Sequence, residues 1–232
     1  MYALVRRVGG LVFRTAMPGA YKHHHELTYW RGRYDAEKGQ LGNAHYEPLY
    51  TTVYGLTRAD FAGQRVLDIG CGPRGSLEWA DMAKQRVGID PLVDEYRKLG
   101  ADRHKMTYVK AQSEKIPFAD GYFDIVTCLN ALDHVDDLDA TIAEIKRVTK
   151  TGGLFLLSTE IGHPPTPTEP VTISAETLRG FAPDFAVVWD RLFGVPADHD
   201  LHGAVMAQLP PVPGEPNIYC ARMQKRMSVM RH

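Results

Sequence analysis

Between Arg65 and Trp79 the chain reads RVLDIGCGPRGSLEW, an apolar run that carries Asp68 and opens into a turn with glycines at 70, 72 and 75. Backbone can approach a ligand closely only where side chains are missing. Gly70 and Gly72, directly beyond an apolar run, therefore mark a loop suited to a nucleotide-like molecule. Two fingerprints overlap there. Gly70, Gly72 and Gly75 spell the G-x-G-x-x-G of dinucleotide sites, and Asp68 ahead of the first glycine gives D-x-G-x-G, the pattern of a methyl-donor site. Asp90 ends the next apolar run, RVGID, 20 residues after Gly70, where a carboxylate can accept hydrogen bonds from both ribose hydroxyls. Either ligand would use that acid.

Charge separates the two. A dinucleotide brings a pyrophosphate, which wants backbone N–H groups and is repelled by a nearby carboxylate. S-adenosylmethionine has no phosphate and brings an ammonium and a sulfonium. Asp68 beside the loop favours that cation, directly or through water. A nicotinamide-dependent oxidoreductase remains the alternative that the glycine spelling permits.

These residues need a scaffold. From Arg65 onward short apolar runs alternate with amphipathic ones, the pattern of strands and crossover helices in a parallel sheet. Strands are expected at 65–69, 86–90, 106–111, 123–129 and 154–160, with FAVVWDRLFG and PNIYCARMQK as final strands. The segment DDLDATIAEIKRVTK (136–150) is expected as a helix ended by Gly152 and Gly153, with Leu138, Ile142, Ile145 and Val148 on one face. IGHPPTPTEP, with four prolines, is a stiff loop leaving a strand's carboxyl end, and SAETLRGF a short helix capped by Ser174. Ahead of the sheet, residues 1–60 are aromatic-rich and are expected as a helical lid. In YKHHHELTYWRGRYD (21–35) the aromatics Tyr29, Trp30 and Tyr34 suit a cover over a donor or an apolar acceptor, with ordinary packing of an N-terminal helix as the alternative, and HYEPLYTTVYGL spaces Tyr46, Leu49, Tyr50, Val53 and Tyr54 as a packed helix would.

VLDIGCG, VGIDP, AQSEKIPFADGYFDIVTC, LDHVDD and EIKRVTKTGGLFLLST, in that order over residues 65–160, resemble the successive motifs of class I S-adenosylmethionine-dependent methyltransferases, in the branch with the ubiquinone and menaquinone methyltransferases. The resemblance implies an α/β, doubly wound, Rossmann-like sheet of seven mostly parallel strands with the last one antiparallel. Residues 61–232 would form that domain. It also implies that Asp68, Gly70 and Gly72 line the donor's methionine part and that Asp90 holds its ribose. Gln112 and Ser113 would meet the adenine, though the family commonly has Asp in place of Gln112, and Leu129 and Asn130 would flank the donor. The family usually continues G-x-G-x-G; here Pro73 and Arg74 displace the third glycine to Gly75.

Methyl transfer is an in-line displacement, so an enzyme mainly aligns the groups and excludes water, and a base is needed when the acceptor arrives protonated. His134, in LDHVDD on the implied acceptor rim, is the candidate base, with Asp133, Asp136 or Asp137 to tune it; its plainer role is to stabilise a turn. Asn130 is the candidate orienting group. Glu160 and His163 stand where they could also face an acceptor. No metal is expected: the three histidines 23–25 cannot all point one way, and Cys71, Cys128 and Cys220 are too dispersed for a zinc site or a disulfide framework.

The composition fits this. The chain has 232 residues, 44% hydrophobic and 24% charged, enough for one sizeable core. Lys and Arg total 27 against 28 Asp and Glu, so no excess of positive charge points to a polynucleotide. The N-terminal apolar stretches are interrupted by Arg6, Arg7 and Arg14, too broken for a signal peptide or a bilayer span. The expectation is a cytoplasmic enzyme that takes S-adenosyl-L-methionine and a small-molecule acceptor, with no nucleic acid; its oligomeric state stays open. A donor-binding fold that serves as a non-catalytic partner or regulatory protein is the reading from another class.

Overall fold

In the computed structural model, described for residues 18–227, seven strands form one sheet: β1 (Arg65–Ile69), β2 (Gln85–Asp90), β3 (Thr107–Lys110), β4 (Phe123–Leu129), β5 (Thr149–Ile161), β6 (Phe185–Gly194) and β7 (Asn217–Lys225). Their order is β3-β2-β1-β4-β5-β7-β6. β1 pairs in parallel with β2 and β4, and β7 runs antiparallel between β5 and β6. The expected seven-stranded Rossmann-like architecture with its last strand antiparallel is therefore the one observed. The helices are α1 (Pro18–Ala36), α2 (Tyr46–Tyr50), α3 (Arg58–Phe61), α4 (Val93–Arg97), α5 (Leu138–Val148), α6 (Ala175–Arg179) and α7 (Leu201–Met206). Among the described residues no helix is long and apolar enough to cross a membrane. The N-terminal stretch containing Arg6, Arg7 and Arg14 lies outside the described residues.

Alternation along the central strands builds two apolar layers, because successive side chains leave a strand on opposite faces. Leu67, Ile69, Val126, Cys128, Phe155 and Leu157 pack on one face with Ile142, Ile145 and Val148 of α5. Val66, Ile125, Leu156, Ile218 and Cys220 pack on the other with Tyr46, Tyr50, Tyr54 and Phe61. Tyr46–Tyr54 is thus core beneath the sheet, broken into α2 and a turn of 3-10 helix, while the part of the N-terminal segment over the ligand side is α1.

α5 starts where Asp137 accepts a hydrogen bond from the N–H of Ala140 (3.0 Å) and ends at Val148, not at the glycines. β5 begins at the next residue, Thr149, which pairs with Phe123, so Gly152 and Gly153 lie inside the strand. The reason is packing. A Cβ on Gly153 would stand 2.7 Å from the carbonyl oxygen of Asp124, on the neighbouring strand.

The chain leaves β1 to build β2 and β3 on one side, then returns to build β4 on the other. Strand order reverses between β1 and β4, and the crevice beyond their carboxyl ends is where open sheets of this kind hold ligands.

Candidate functional site

At that crevice lies a concave pocket, half open to solvent, of the kind that holds small molecules. Gly70, Asp90, Gln112, Ser113, Asn130 and His134 all line it, from the ends of β1, β2, β3 and β4. Six residues picked from motifs spread over 65 positions of sequence thus meet on one wall. Asp68, Gly72 and Leu129 are not on that wall.

Gly70 has φ +70°, and a Cβ there would stand 2.4 Å from the Cβ of Ala131, which also lines the pocket. The first glycine therefore lets the β1 and β4 loops touch. Gly72, with φ +57°, is covered: the indole of Trp30 would be 3.1 Å from a Cβ placed there. Asn130 is held at φ +51°, an arrangement uncommon for a residue with a side chain. Its N–H donates to Ser158 O (2.7 Å), and its side-chain oxygen accepts from the Ser158 hydroxyl (3.2 Å). This fixes the loop that delivers His134.

Asp68 is 2% exposed, and its carboxylate accepts hydrogen bonds from the hydroxyls of Tyr50 (2.9 Å), Ser76 (2.5 Å) and Thr127 (2.6 Å). Burial pushes its carboxyl up to about 6, against the pull of those three hydroxyls. It braces the glycine loop against β4 and the core from within and gives the pocket no free oxygen. The charge preference assigned to it is carried by other acids. Glu26, Asp90 and Glu114 line the pocket, and Lys22, the one lysine among the described residues that line it, donates to the carbonyl of His134 (2.8 Å) and pairs with Asp136. Among the described residues no arginine lines it. Such a wall suits an ammonium or sulfonium and opposes a diphosphate.

Asp90 accepts from the N–H of Leu92 (2.9 Å). Burial pushes its carboxyl up to about 7, hydrogen bonds from Leu92 and Gly72 oppose the rise, and the charge of Glu26 adds to it. At neutral pH this acid is poised between its two forms. Donor hydroxyls favour the ionised one.

α1 supplies the cover. Lys22, His23 and Glu26, one turn apart, face the pocket, and Glu26 orients Trp30 by accepting its indole N–H (2.6 Å). Leu27, Trp30 and Tyr34 pack against Leu92, Tyr96 and Leu99. Arg74, the residue that displaces the third glycine, latches the far end. Its buried guanidinium bonds both carboxylate oxygens of Glu37 (2.8 and 2.5 Å) and the carbonyl of Gly42 (2.8 Å). The hydrogen bonds from Arg74 hold the Glu37 carboxyl down at about 2.

Beside the pocket Asp133 and His134 sit on a 3-10 turn after β4, and the proline loop after β5 brings His163 and Glu169 to them. Sequence reasoning placed His163 near the acceptor but had no signal for Glu169, which only the loop's path delivers. Glu160 faces elsewhere, bonded to His199 (2.8 Å).

Residues 67–157 match the family model described as a methyltransferase domain. Among curated proteins, the ubiquinone biosynthesis O-methyltransferase of Xanthomonas oryzae pv. oryzae is 40% identical over 114 residues, which cover 46% of this chain and 47% of that protein. The chain spans about half the length of such relatives. Among solved structures, an S-adenosylmethionine-dependent methyltransferase from Mesorhizobium loti is 20% identical with a TM-score of 0.52, over 71% of this chain and 92% of that one. The [4+2]-cyclase SpnF is 18% identical with a TM-score of 0.54, over 78% of each chain. These two likenesses establish the fold, a fold that also serves a cyclase.

Proposed function

We propose that this chain, which carries a class I methyltransferase domain, transfers a methyl group from S-adenosylmethionine to a small-molecule acceptor. The observation that carries the reading is the acid-lined pocket at the β1/β4 switch point, with Asp90 on its wall and no arginine among the described residues that line it. The names of the curated relatives favour oxygen as the methylated atom. Residues 61–232 are the catalytic domain in this reading, and α1, from the segment before residue 60, is its lid.

The residues divide the work. Asp90 accepts the ribose hydroxyls. Gln112 offers an amide to the adenine edge, and Ser113, tied to the hydroxyl of Thr141 (2.9 Å), holds the strand end beneath it. Gly70 brings backbone against the donor, with Gly72 and Leu129 shaping the loops behind, and Asp68 keeps the glycine loop in place. Glu26 and Trp30 of α1 close over the site and exclude water. S-adenosylmethionine, when bound, supplies a methyl on a positively charged sulfur, which keeps the S–C electron pair and becomes neutral as the acceptor's lone pair forms the new bond. Asn130 orients the reacting groups. A hydroxyl acceptor gives its proton to the His134 imidazole, on the pocket's acceptor side. The free, buried thiols of Cys71, Cys128 and Cys220 support a reducing compartment such as the cytoplasm.

Calorimetry tests the reading. The chain should bind S-adenosylmethionine and S-adenosylhomocysteine and ignore nicotinamide dinucleotides; indifference to both sulfur compounds defeats it. Donor binding without turnover over a broad panel of hydroxylated acceptors would support the non-catalytic alternative instead.

A further inference from the structure

Asp133, His134 and Glu169 place one ligand atom each within 4.8 Å of one another. His134 Nε2 lies 3.8 Å from Asp133 Oδ1 and 3.9 Å from Glu169 Oε1, close to the separations of ligands around a single ion. The other oxygen of Glu169 is engaged by the Thr166 hydroxyl (3.1 Å), which leaves Oε1 for the cluster. The backbone pins the two segments together as well, the N–H of Val171 donating to Asp133 O (3.3 Å).

A second observation is independent of that spacing. Asp133 Oδ1 and His163 Nε2 are buried and have no protein hydrogen-bond partner among the described residues, though Asp133 is 5% and His163 7% exposed. His163 Nδ1 lies 2.9 Å from the carbonyl of Pro164 and its Nε2 lies 3.4 Å from Asp133 Oδ2, so the imidazole packs behind that carboxylate. The other carboxylate oxygen, Asp133 Oδ1, is left bare in a dry site, which is costly unless a cation meets it. No lysine or arginine forms an ion pair with Asp133 or Glu169 among the described residues.

We propose that Asp133, His134 and Glu169 hold a divalent transition-metal ion on the acceptor side of the pocket, with His163 supporting Asp133 from behind. One imidazole and two carboxylates suit zinc, manganese or ferrous iron better than magnesium or calcium, which prefer all-oxygen sites. Three protein ligands leave positions open toward the pocket that His134 lines. The site would take an oxygen acceptor, a hydroxyl or phenol, and the ion would acidify it. In the metal-loaded chain the proton would pass to solvent with His134 as a ligand, and the base role given to His134 above belongs to the metal-free chain. The substrate class rests on the methyltransferase reading above, whereas the ion's binding is measured without donor or acceptor.

The full chain, without an added histidine tag, is stripped with a chelator and titrated with Co²⁺, followed by its visible absorption. The expected result is one Co²⁺ per chain, displaced by Zn²⁺. Glu169→Gln, on a loop outside the core, should weaken uptake at least about tenfold with an unchanged melting temperature of the metal-free protein, and His134→Ala should change the spectrum. No saturable uptake overturns the proposal and leaves a proton shared by Asp133 and His163. Uptake that both variants leave unaltered also overturns it and places the metal elsewhere, for example on His23–His25. Donor calorimetry on the same stripped protein separates the two readings: donor binding without metal uptake removes only the ion, and metal uptake without donor binding removes only the methyltransferase.

Discussion

Donor affinity should depend on pH through Asp90. Its carboxyl titrates at about 7, and only the ionised form can accept from both ribose hydroxyls with full strength. The apparent dissociation constant then scales as one plus the protonated-to-ionised ratio. Between pH 8 and pH 6 that factor rises from about 1.1 to about 11, a loss of about tenfold, or about 1.4 kcal/mol. The probe is 5′-deoxy-5′-methylthioadenosine, which has the ribose and adenine but no amino group to titrate in this range. Calorimetry from pH 5.5 to 8.5 should show the slope in the native chain, a smaller one displaced to lower pH in Glu26→Gln, and none in Asp90→Asn, which binds weakly throughout. The same variant also tests stability. An acid raised on folding contributes stability below its unfolded pKa of about 4, and that contribution is lost as pH rises through about 7. Asp90→Asn should thus make the ligand-free protein more stable at pH 8, by something on the order of 4 kcal/mol before relaxation. A flat affinity profile in the native chain, or a slope that survives in Asp90→Asn, would refute the assignment.

Two further perturbations address the loop and its cover. Arg74→Met leaves the half-buried Glu37 with only the exposed Arg33 and the N–H of Gly42 as partners; it should destabilise the fold by about 2 kcal/mol and raise hydrogen exchange over residues 18–36 more than over the strands. Unchanged exchange there would mean that the latch does not hold α1. Gly70→Ala places a Cβ 2.4 Å from that of Ala131 at a φ of +70°, so donor binding should be lost with a lowered melting temperature. Adding Ala131→Gly should recover part of the melting temperature, because it removes the clash but not the backbone strain; no recovery would mean that contact with Ala131 is not what the glycine relieves.

Most of this pocket wall is legible in the sequence. Asp90, Gln112, Ser113 and Asn130 follow the ends of successive apolar runs, and a parallel sheet gathers such ends at one edge whatever the helices between them do. Periodicity also fixes the two faces of β1, β4 and β5, since a strand's side chains alternate. Where the residues on each side of a boundary favour both states, as at Val148 and Thr149, the strand ladder decided and sequence reasoning ran two residues past the end of α5.

The sequence by itself determined the sheet, the edge that lines the pocket and the presence of an acid near the glycines, because these depend on local patterns and on spacing along the chain. Only the tertiary structure decided where charges point and which distant segments meet. Asp68 turned inward because Tyr50, Ser76 and Thr127 supply three hydroxyls there, and Arg74 became a latch because Glu37 lies within its reach. Glu169 meets His134 across 35 residues of chain, through a proline loop whose path no periodicity encodes. Electrostatic partnership falls off over a few ångströms in space, and separation along the chain does not report that distance.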